Sequence, residues 1–151
     1  MAGEAATVHA SAVLVGSHAV LIRGPAGAGK SSLAFALIGA AQSGRIPFAC
    51  LVADDRVALA ASHGRLLARP AEALAGLIEV RGLGVRRLDY EPVAVVGWVV
   101  DLADPKASRL PEAADREVTL AGIKLPRLGI AAGADPLPAV LALWSTAERE
   151  P

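Results

Sequence analysis

The chain has 151 residues, with 15 basic and 15 acidic side chains and a formal net charge of zero. That length suits one domain with a proper core, and the balanced charge excludes a broad nucleic-acid or anionic-membrane surface while leaving room for a local anion pocket. Apolar residues make up 54% and aromatics only 3%, so the core is expected to be aliphatic and strand-built, and a single cysteine, Cys50, excludes an internal disulfide framework.

The opening, Met1 to Ala6, has no basic segment leading into an apolar run, so no signal peptide is expected. No stretch approaches the roughly 18 uninterrupted apolar residues of a membrane span, and the cytoplasm is the expected compartment. Thr7 to Val15 and His18 to Arg23 are apolar runs separated by Gly16 and Ser17, which predicts a tight hairpin. From Ser31 to Gln42, apolar residues at Leu33, Ala34, Leu37, Ile38 and Ala41 have helical spacing, and Gly44 suits a left-handed cap. Pro47 to Ala53 predicts a buried strand, parallel to the one before the glycine-rich stretch at Gly24. Val57 to Ala61 and Arg65 to Arg69 predict a hairpin turning at Ser62 to Gly64.

Ala71 to Leu77 is expected as a short helix with Pro70 near its start, and Ile78 to Arg81 as an extended segment bent by Gly82 and Gly84. Val93 to Leu102 is a second buried strand, and Pro105 to Pro111 a polar loop. Val118 to Leu128 reads as extended, with Pro126 marking an edge or an end. Ala139 to Glu148 closes the chain as a helix. No repeat or linker divides the chain. The expectation is a single domain, 1–151, with a strand-rich α/β fold dominated by one loop-to-helix element.

That element is the most informative stretch. Gly24, Pro25, Ala26, Gly27, Ala28, Gly29, Lys30 and Ser31 fit G-x-x-x-x-G-K-[ST], the phosphate-binding loop, preceded by an apolar run and followed by a helical one. Glycines let backbone N–H groups turn inward around phosphate oxygens. The helix that follows aims its free N–H groups and positive dipole end at the same anion. Lys30 adds a mobile positive charge, and the Ser31 hydroxyl can ligate Mg²⁺. A nucleotide donor such as ATP is therefore expected.

Asp54 and Asp55 follow the hydrophobic run Leu51 to Ala53. A carboxylate at the end of such a strand is where a nucleotide-binding α/β sheet brings acid to metal. Two adjacent acids allow one to serve the metal while the other accepts the proton of an attacking hydroxyl; alternatively they cap the turn. Glu79, flanked by apolar residues and followed by Arg81, needs a cation if it faces inward, either Mg²⁺ or Arg81.

Taken in order, Val8-His9, Gly24 to Ser31, Leu51 to Asp55 and Ile78 to Gly84 resemble the catalytic domain of HPr kinase/phosphorylase. The match is closest in Leu51 to Asp55 and Ile78 to Gly84 and covers about His9 to Val85. The resemblance implies a P-loop α/β fold related to phosphoenolpyruvate carboxykinase and a hexameric assembly. It implies transfer of a phosphoryl group from ATP with Mg²⁺ to a serine of HPr, the phosphocarrier of the sugar phosphotransferase system. It also implies the reverse reaction, in which inorganic phosphate releases pyrophosphate.

Carried over by resemblance, Lys30 serves the phosphates, Ser31 and Glu79 hold Mg²⁺, and the pair Asp54 and Asp55 supplies the general base, with Asp55 preferred. His9 falls where the family has a catalytic histidine, and Arg109, followed by Leu110, resembles a later family Arg-Leu that contributes a catalytic arginine. Departures are Ala10 after His9, Ser32 after the Lys-Ser pair, and an imperfect late loop at Pro126 to Gly133. No counterpart of the family's N-terminal domain is expected in the chain. These departures set forward kinase activity ahead of phosphorolysis. The competing expectations are a P-loop kinase or ATPase acting on a small molecule and a nucleotide-binding regulatory module without turnover.

Overall fold

Alternating apolar side chains and turn residues divide the chain into strands and helices in this computed structural model, which describes residues 6–147. In chain order these are β1 (Ala6–Val15), β2 (His18–Arg23), α1 (Lys30–Gln42), β3 (Ala49–Ala53), β4 (Arg56–Ser62), β5 (Arg65–Pro70) and β6 (Leu77–Val80). After them come β7 (Gly84–Arg87), β8 (Ala94–Asp101), β9 (Glu117–Leu120), β10 (Ile123–Gly129) and α2 (Leu137–Ser145).

Strand β1 organises the sheet because it is long enough to have two sets of neighbours. Its first half, Ala6 to His9, pairs antiparallel with β4. Its second half pairs with β2 on one side and β3 on the other, both antiparallel. Strand β8 is shared in the same way: Ala94 and Val95 pair with β5, and Val96 to Asp101 run parallel to β2. The path β2–β1–β4–β5–β8 therefore returns to β2 and closes a ring, with β10 added in parallel to β8 and β9 beyond it.

Side chains alternate across a strand, so each ring strand feeds two cores. Ala10, Ala12, Ala19, Leu21, Val57 and Leu66 fill the inside of the ring. Val13, Val15, Val20 and Ile22 point the other way, against Leu33, Ala34, Leu37 and Ala40 of α1 and Val140 and Leu141 of α2. Small alanines line the inside because a ring of few strands has little room there. In β8 the alternation is interrupted: Val96 is opposite Ala19, but Trp98 is opposite Val20. Gly97 is the extra residue of this bulge, and a Cβ on it would lie 2.7 Å from the Cβ of His18.

The predicted cap of α1 is present: Gly44 has φ +78°, its N–H reaches Ala41 O at 3.1 Å, and Arg45 N–H reaches Ala40 O at 2.8 Å. Other expectations change. β3 runs in the same sense as β2, but β1 lies between them, so the two are not hydrogen-bonded neighbours. Residues 71–77 form only a 3-10 turn at Glu72–Leu74. The stretch 118–128 is two antiparallel strands, because Ala121 and Gly122 both take positive φ and reverse the chain in two residues. Gly82 and Gly84 do more than bend the chain; they set up β7, which pairs with β6 as a separate hairpin. The final helix starts at Leu137 and ends at Ser145; Glu148, its expected end, lies outside the described residues, as does Met1 to Ala5.

Candidate active site

Strands β2 and β3 flank β1 and end at the same edge of the sheet, and the turns that follow carry the phosphate-loop motif and the two aspartates. In α/β sheets this carboxyl end of the strands is where ligands bind. The loop from Gly24 leads directly into α1, whose N-cap is Gly29 at φ +100°, with Gly27 at φ +81° before it. These left-handed conformations are open to glycine and strained for a residue with a Cβ. No side chain caps the first turn of α1, so its N–H groups face the loop mouth.

The loop, the start of α1, β1, β6 and Asp55 enclose a pocket of about 540 Å³. His9 and Ser11 reach it from β1, Lys30, Ser31 and Ser32 from α1, and Glu79 and Arg81 from β6 and the turn after it. Lys30 folds over its own loop, with Nζ donating to Gly24 O at 2.7 Å and Pro25 O at 3.1 Å.

The two aspartates occupy different environments. Asp54 is 4% exposed and accepts hydrogen bonds from three donors. Ser11 Oγ donates to Oδ1 at 2.5 Å, Ser31 Oγ lies 2.8 Å from each carboxylate oxygen, and the Glu79 backbone N–H donates to Oδ2 at 3.0 Å. A buried carboxylate must be satisfied in this way to be tolerated. Asp55 is exposed, lines the pocket and has φ +67°. The turn conformation swings it away from its neighbour, and Asp is among the residues that tolerate it.

Of the residues singled out from sequence, His9, Lys30, Ser31, Asp55 and Glu79 share this pocket, and Asp54 lies directly behind it. Ala28 faces an adjoining crevice instead. Arg109 lies exposed in the connection between β8 and β9 and does not line the pocket. Ser11 was not singled out, although it is fully buried between Ala10 and Ala12. Its signal was a lone hydroxyl in an apolar strand. Among the described residues no three His, Cys, Asp or Glu side chains cluster as a metal site. Cys50 lies half-buried on β3, where burial, reinforced by Glu91 and Asp89, pushes its thiol pKa up.

A second polar group underlies the loop. Asp101, at the end of β8, accepts from Arg23 through Nε at 2.7 Å and Nη2 at 2.8 Å, and from Arg127 Nε at 2.6 Å. Arg127 also donates from Nη2 to Asp104 at 2.7 Å and from Nη1 to Asp115 O at 2.9 Å. Burial alone would raise the pKa of Asp101, but the hydrogen bonds from Arg23 and Arg127 outweigh it and hold the carboxyl below its usual range. The hydrogen bond from Arg127 lowers that of Asp104 as well. Arg23 directly precedes Gly24, so these ion pairs fix the strand end from which the phosphate loop departs.

Residues 1–90 match the family model described as the HPr Serine kinase C-terminal domain. The chain belongs to that family. It is similar to the HPr kinase/phosphorylase of Streptococcus thermophilus, 33% identical over 141 residues, covering 84% of this chain and 42% of that protein. The HPr kinase/phosphorylase of Streptococcus salivarius is 30% identical over 138 residues with the same coverage. The chain thus spans about two fifths of the length of the curated relatives it matches, 42% in each case. A structure described as the Hpr(Ser) kinase/phosphatase from Coxiella burnetii superposes with a TM-score of 0.73 at 24% identity, over 91% of this chain and 87% of that one. The strand-rich α/β P-loop fold expected from sequence is the fold of this HPr serine kinase C-terminal domain family member. No helix among the described residues is long and apolar enough to cross a membrane.

Proposed function

We propose that this chain is a single-domain cytoplasmic kinase core that transfers the γ-phosphoryl group of ATP to a serine of an HPr-like phosphocarrier protein. The observation that carries the reading is the division between adjacent aspartates: Asp54 is buried against the Ser31 hydroxyl, while Asp55 stands exposed in the pocket that Lys30 and the loop share. A nucleotide-binding module without turnover has no need of a second, pocket-facing acid.

In this reading the loop amides and the N-terminus of α1 hold the phosphates. Lys30 exchanges Gly24 O and Pro25 O for phosphate oxygens, so its charge is neutralised by substrate rather than by dipoles. Asp55 accepts the proton of the incoming seryl hydroxyl, whose oxygen bonds to the γ-phosphorus as the bond to the departing ADP oxygen breaks. The donor set of Ser31 and Glu79, with Asp54 behind Ser31, consists of oxygen ligands and fits Mg²⁺, which keeps much of its water shell. When bound, Mg²⁺ would offset charge on the β and γ phosphates. Asp54 holds the Ser31 hydroxyl in place, and His9 lies where it can meet the transferring group or its acceptor. Arg109 would have to approach from its exposed loop, through movement of that loop or at a subunit contact. Hexamer assembly and phosphorolysis by inorganic phosphate with release of pyrophosphate accompany the family resemblance, and the altered late loop sets the reverse reaction second.

Incubation with ATP and Mg²⁺ in the presence of an HPr-like protein, followed by mapping of the modified residue, tests the proposal. Phosphoserine is expected, and Lys30→Ala or Asp55→Asn should abolish it. A phosphorylated metabolite with no phosphoprotein would replace the acceptor. Nucleotide binding with no transfer to either would overturn the kinase reading.

A further inference from the structure

Among the described residues only two polar side chains are buried, Ser11 and Asp54, and they are bonded to each other at 2.5 Å. The rest of the core is aliphatic. Stability alone gives little reason for such a pair, because two apolar groups of the same shape in its place can be neutral or stabilising. Its position, behind the Ser31 hydroxyl, points to a task at the site instead.

A bulge brings the pair together. β1 and β3 pair Val13 with Leu51 but Ala12 with Ala53, so Val52 is an extra residue on β3. Continuing that register by one residue sets Asp54 opposite Ser11; without the extra residue Ala53 would stand there. On β1 the same face carries His9, Ser11 and Val13, since side chains alternate. His9 lines the pocket and Val13 belongs to the core beneath α1, so Ser11 sits where the site gives way to the core.

Ser11 and the Glu79 backbone N–H hold different oxygens of the Asp54 carboxylate, Oδ1 at 2.5 Å and Oδ2 at 3.0 Å. Two such anchors stop the carboxylate from turning about its bond to Cβ. Ser31 Oγ then lies 2.8 Å from both oxygens. Its single proton is directed to this carboxylate, which leaves its lone pairs for the pocket that Ser31 lines. The Glu79 anchor is backbone, so Ser11 is the anchor that a side-chain substitution can remove.

Resting on the reading of Ser31 and Glu79 as the Mg²⁺ donors, we infer that Ser11 is a positioning residue of the metal site: by fixing the Asp54 carboxylate from behind, it aims the Ser31 oxygen at the ion. Without Ser11, Oδ1 keeps only Ser31 as a donor, the carboxylate can turn, and the Ser31 oxygen loses its fixed direction. Residues in this outer position typically contribute about 10–100-fold to metal affinity or activity.

Titration calorimetry with ATP, in excess Mg²⁺ and in EDTA, reads the role as the factor by which the metal tightens nucleotide binding. Ser11→Ala should lower that factor about tenfold or more and leave metal-free ATP binding unchanged, because Lys30 and the loop are untouched. The stability cost of the same substitution is read separately, in urea without nucleotide or metal. In the transfer assay the rate of Ser11→Ala should climb toward wild type as Mg²⁺ is raised, with the KM for the acceptor protein unchanged. Ser11→Thr, which keeps the hydroxyl, should retain the wild-type factor. Val13→Ala, a truncation on the same face of β1, should lose stability and retain it too.

An unchanged factor in Ser11→Ala overturns the inference and leaves the metal reading standing, whereas a wild type that gains nothing from Mg²⁺ overturns both. An equal drop in Ser11→Thr or Val13→Ala would assign the effect to packing, and overturn the inference as well. Should Ser11→Ala not fold, Ser11→Cys, which keeps the shape with a weaker donor, decides by the same criteria.

Discussion

At the residue scale, adjacent aspartates with the same side chain have different surroundings, and their variants should separate accordingly. Asp55 touches the pocket, and among the described residues its side chain has no hydrogen-bond or ion-pair partner, so Asp55→Asn should cost at least about a hundredfold in phosphoryl transfer while the urea midpoint stays at the wild-type value. Asp54→Asn keeps the shape but loses acceptor capacity against Ser11, Ser31 and the Glu79 amide. It should lower stability by about 1–3 kcal/mol as well as activity. Equal loss of stability in both variants would contradict the division of roles. Ser11→Ala isolates the structural part: removing one donor from a buried carboxylate should cost about 1–3 kcal/mol in chemical unfolding, read directly from the shifted midpoint.

These residues also mark how far sequence could be read. The phosphate loop and the Asp54-Asp55 pair were legible because their geometry is local: a strand, a turn and a helix start within a few residues of each other. Ser11 was not, because its partner is 43 positions away and is brought close only by the pairing of β1 with β3. The Arg23–Asp101–Arg127 group was hidden for the same reason, since three strands must first lie parallel. Asp54 and Asp55 were found as a pair, but which of them is buried depends on the left-handed turn at Asp55, and the residue names alone do not encode it.

At the element scale, the hairpins show which turn signals carry. Gly16 after Val15 and Gly64 after His63 were read correctly as reversals, whereas Ala121-Gly122 passed as extended because alanine is an uncommon first residue for a turn with positive φ. The bulge in β8 is a sharper case. Gly97 lets the strand change which face it presents, so that Val96 packs inside the ring and Trp98 packs toward the helices. Gly97→Ala should force its Cβ against that of His18, a contact anchored to the backbone on both sides, and cost about 1–3 kcal/mol. His18→Gly in the same chain removes the opposing Cβ and should recover part of the loss in a double-mutant cycle. Simple additivity of the two substitutions would show that the clash is relieved elsewhere.

At the scale of the whole molecule, the site depends on sheet closure. The ring brings β1 over the ends of β2 and β3, and the ion pairs at Asp101 hold the ends of β2, β8 and β10 together. This arrangement predicts a pH dependence whose sign follows from the depressed pKa values of Asp101 and Asp104. In the unfolded chain both carboxyls titrate near the ordinary value of about 3.9. Folding lowers both, so the unfolded state binds more protons across the interval between the two values. The stabilisation is therefore complete above the unfolded value and is lost as pH falls through the folded values beneath it. Asp101→Asn removes its share of this effect. In urea unfolding, the gap between wild type and Asp101→Asn should be constant from about pH 5 to 8 and narrow below about pH 4. Moderate salt should shrink the gap only slightly, because the Asp101 and Arg127 side chains are 15% and 17% exposed and partly buried pairs are weakly screened. A gap that stays constant into the acid range would mean that Asp101 holds the three strands by packing, with its charge contributing nothing.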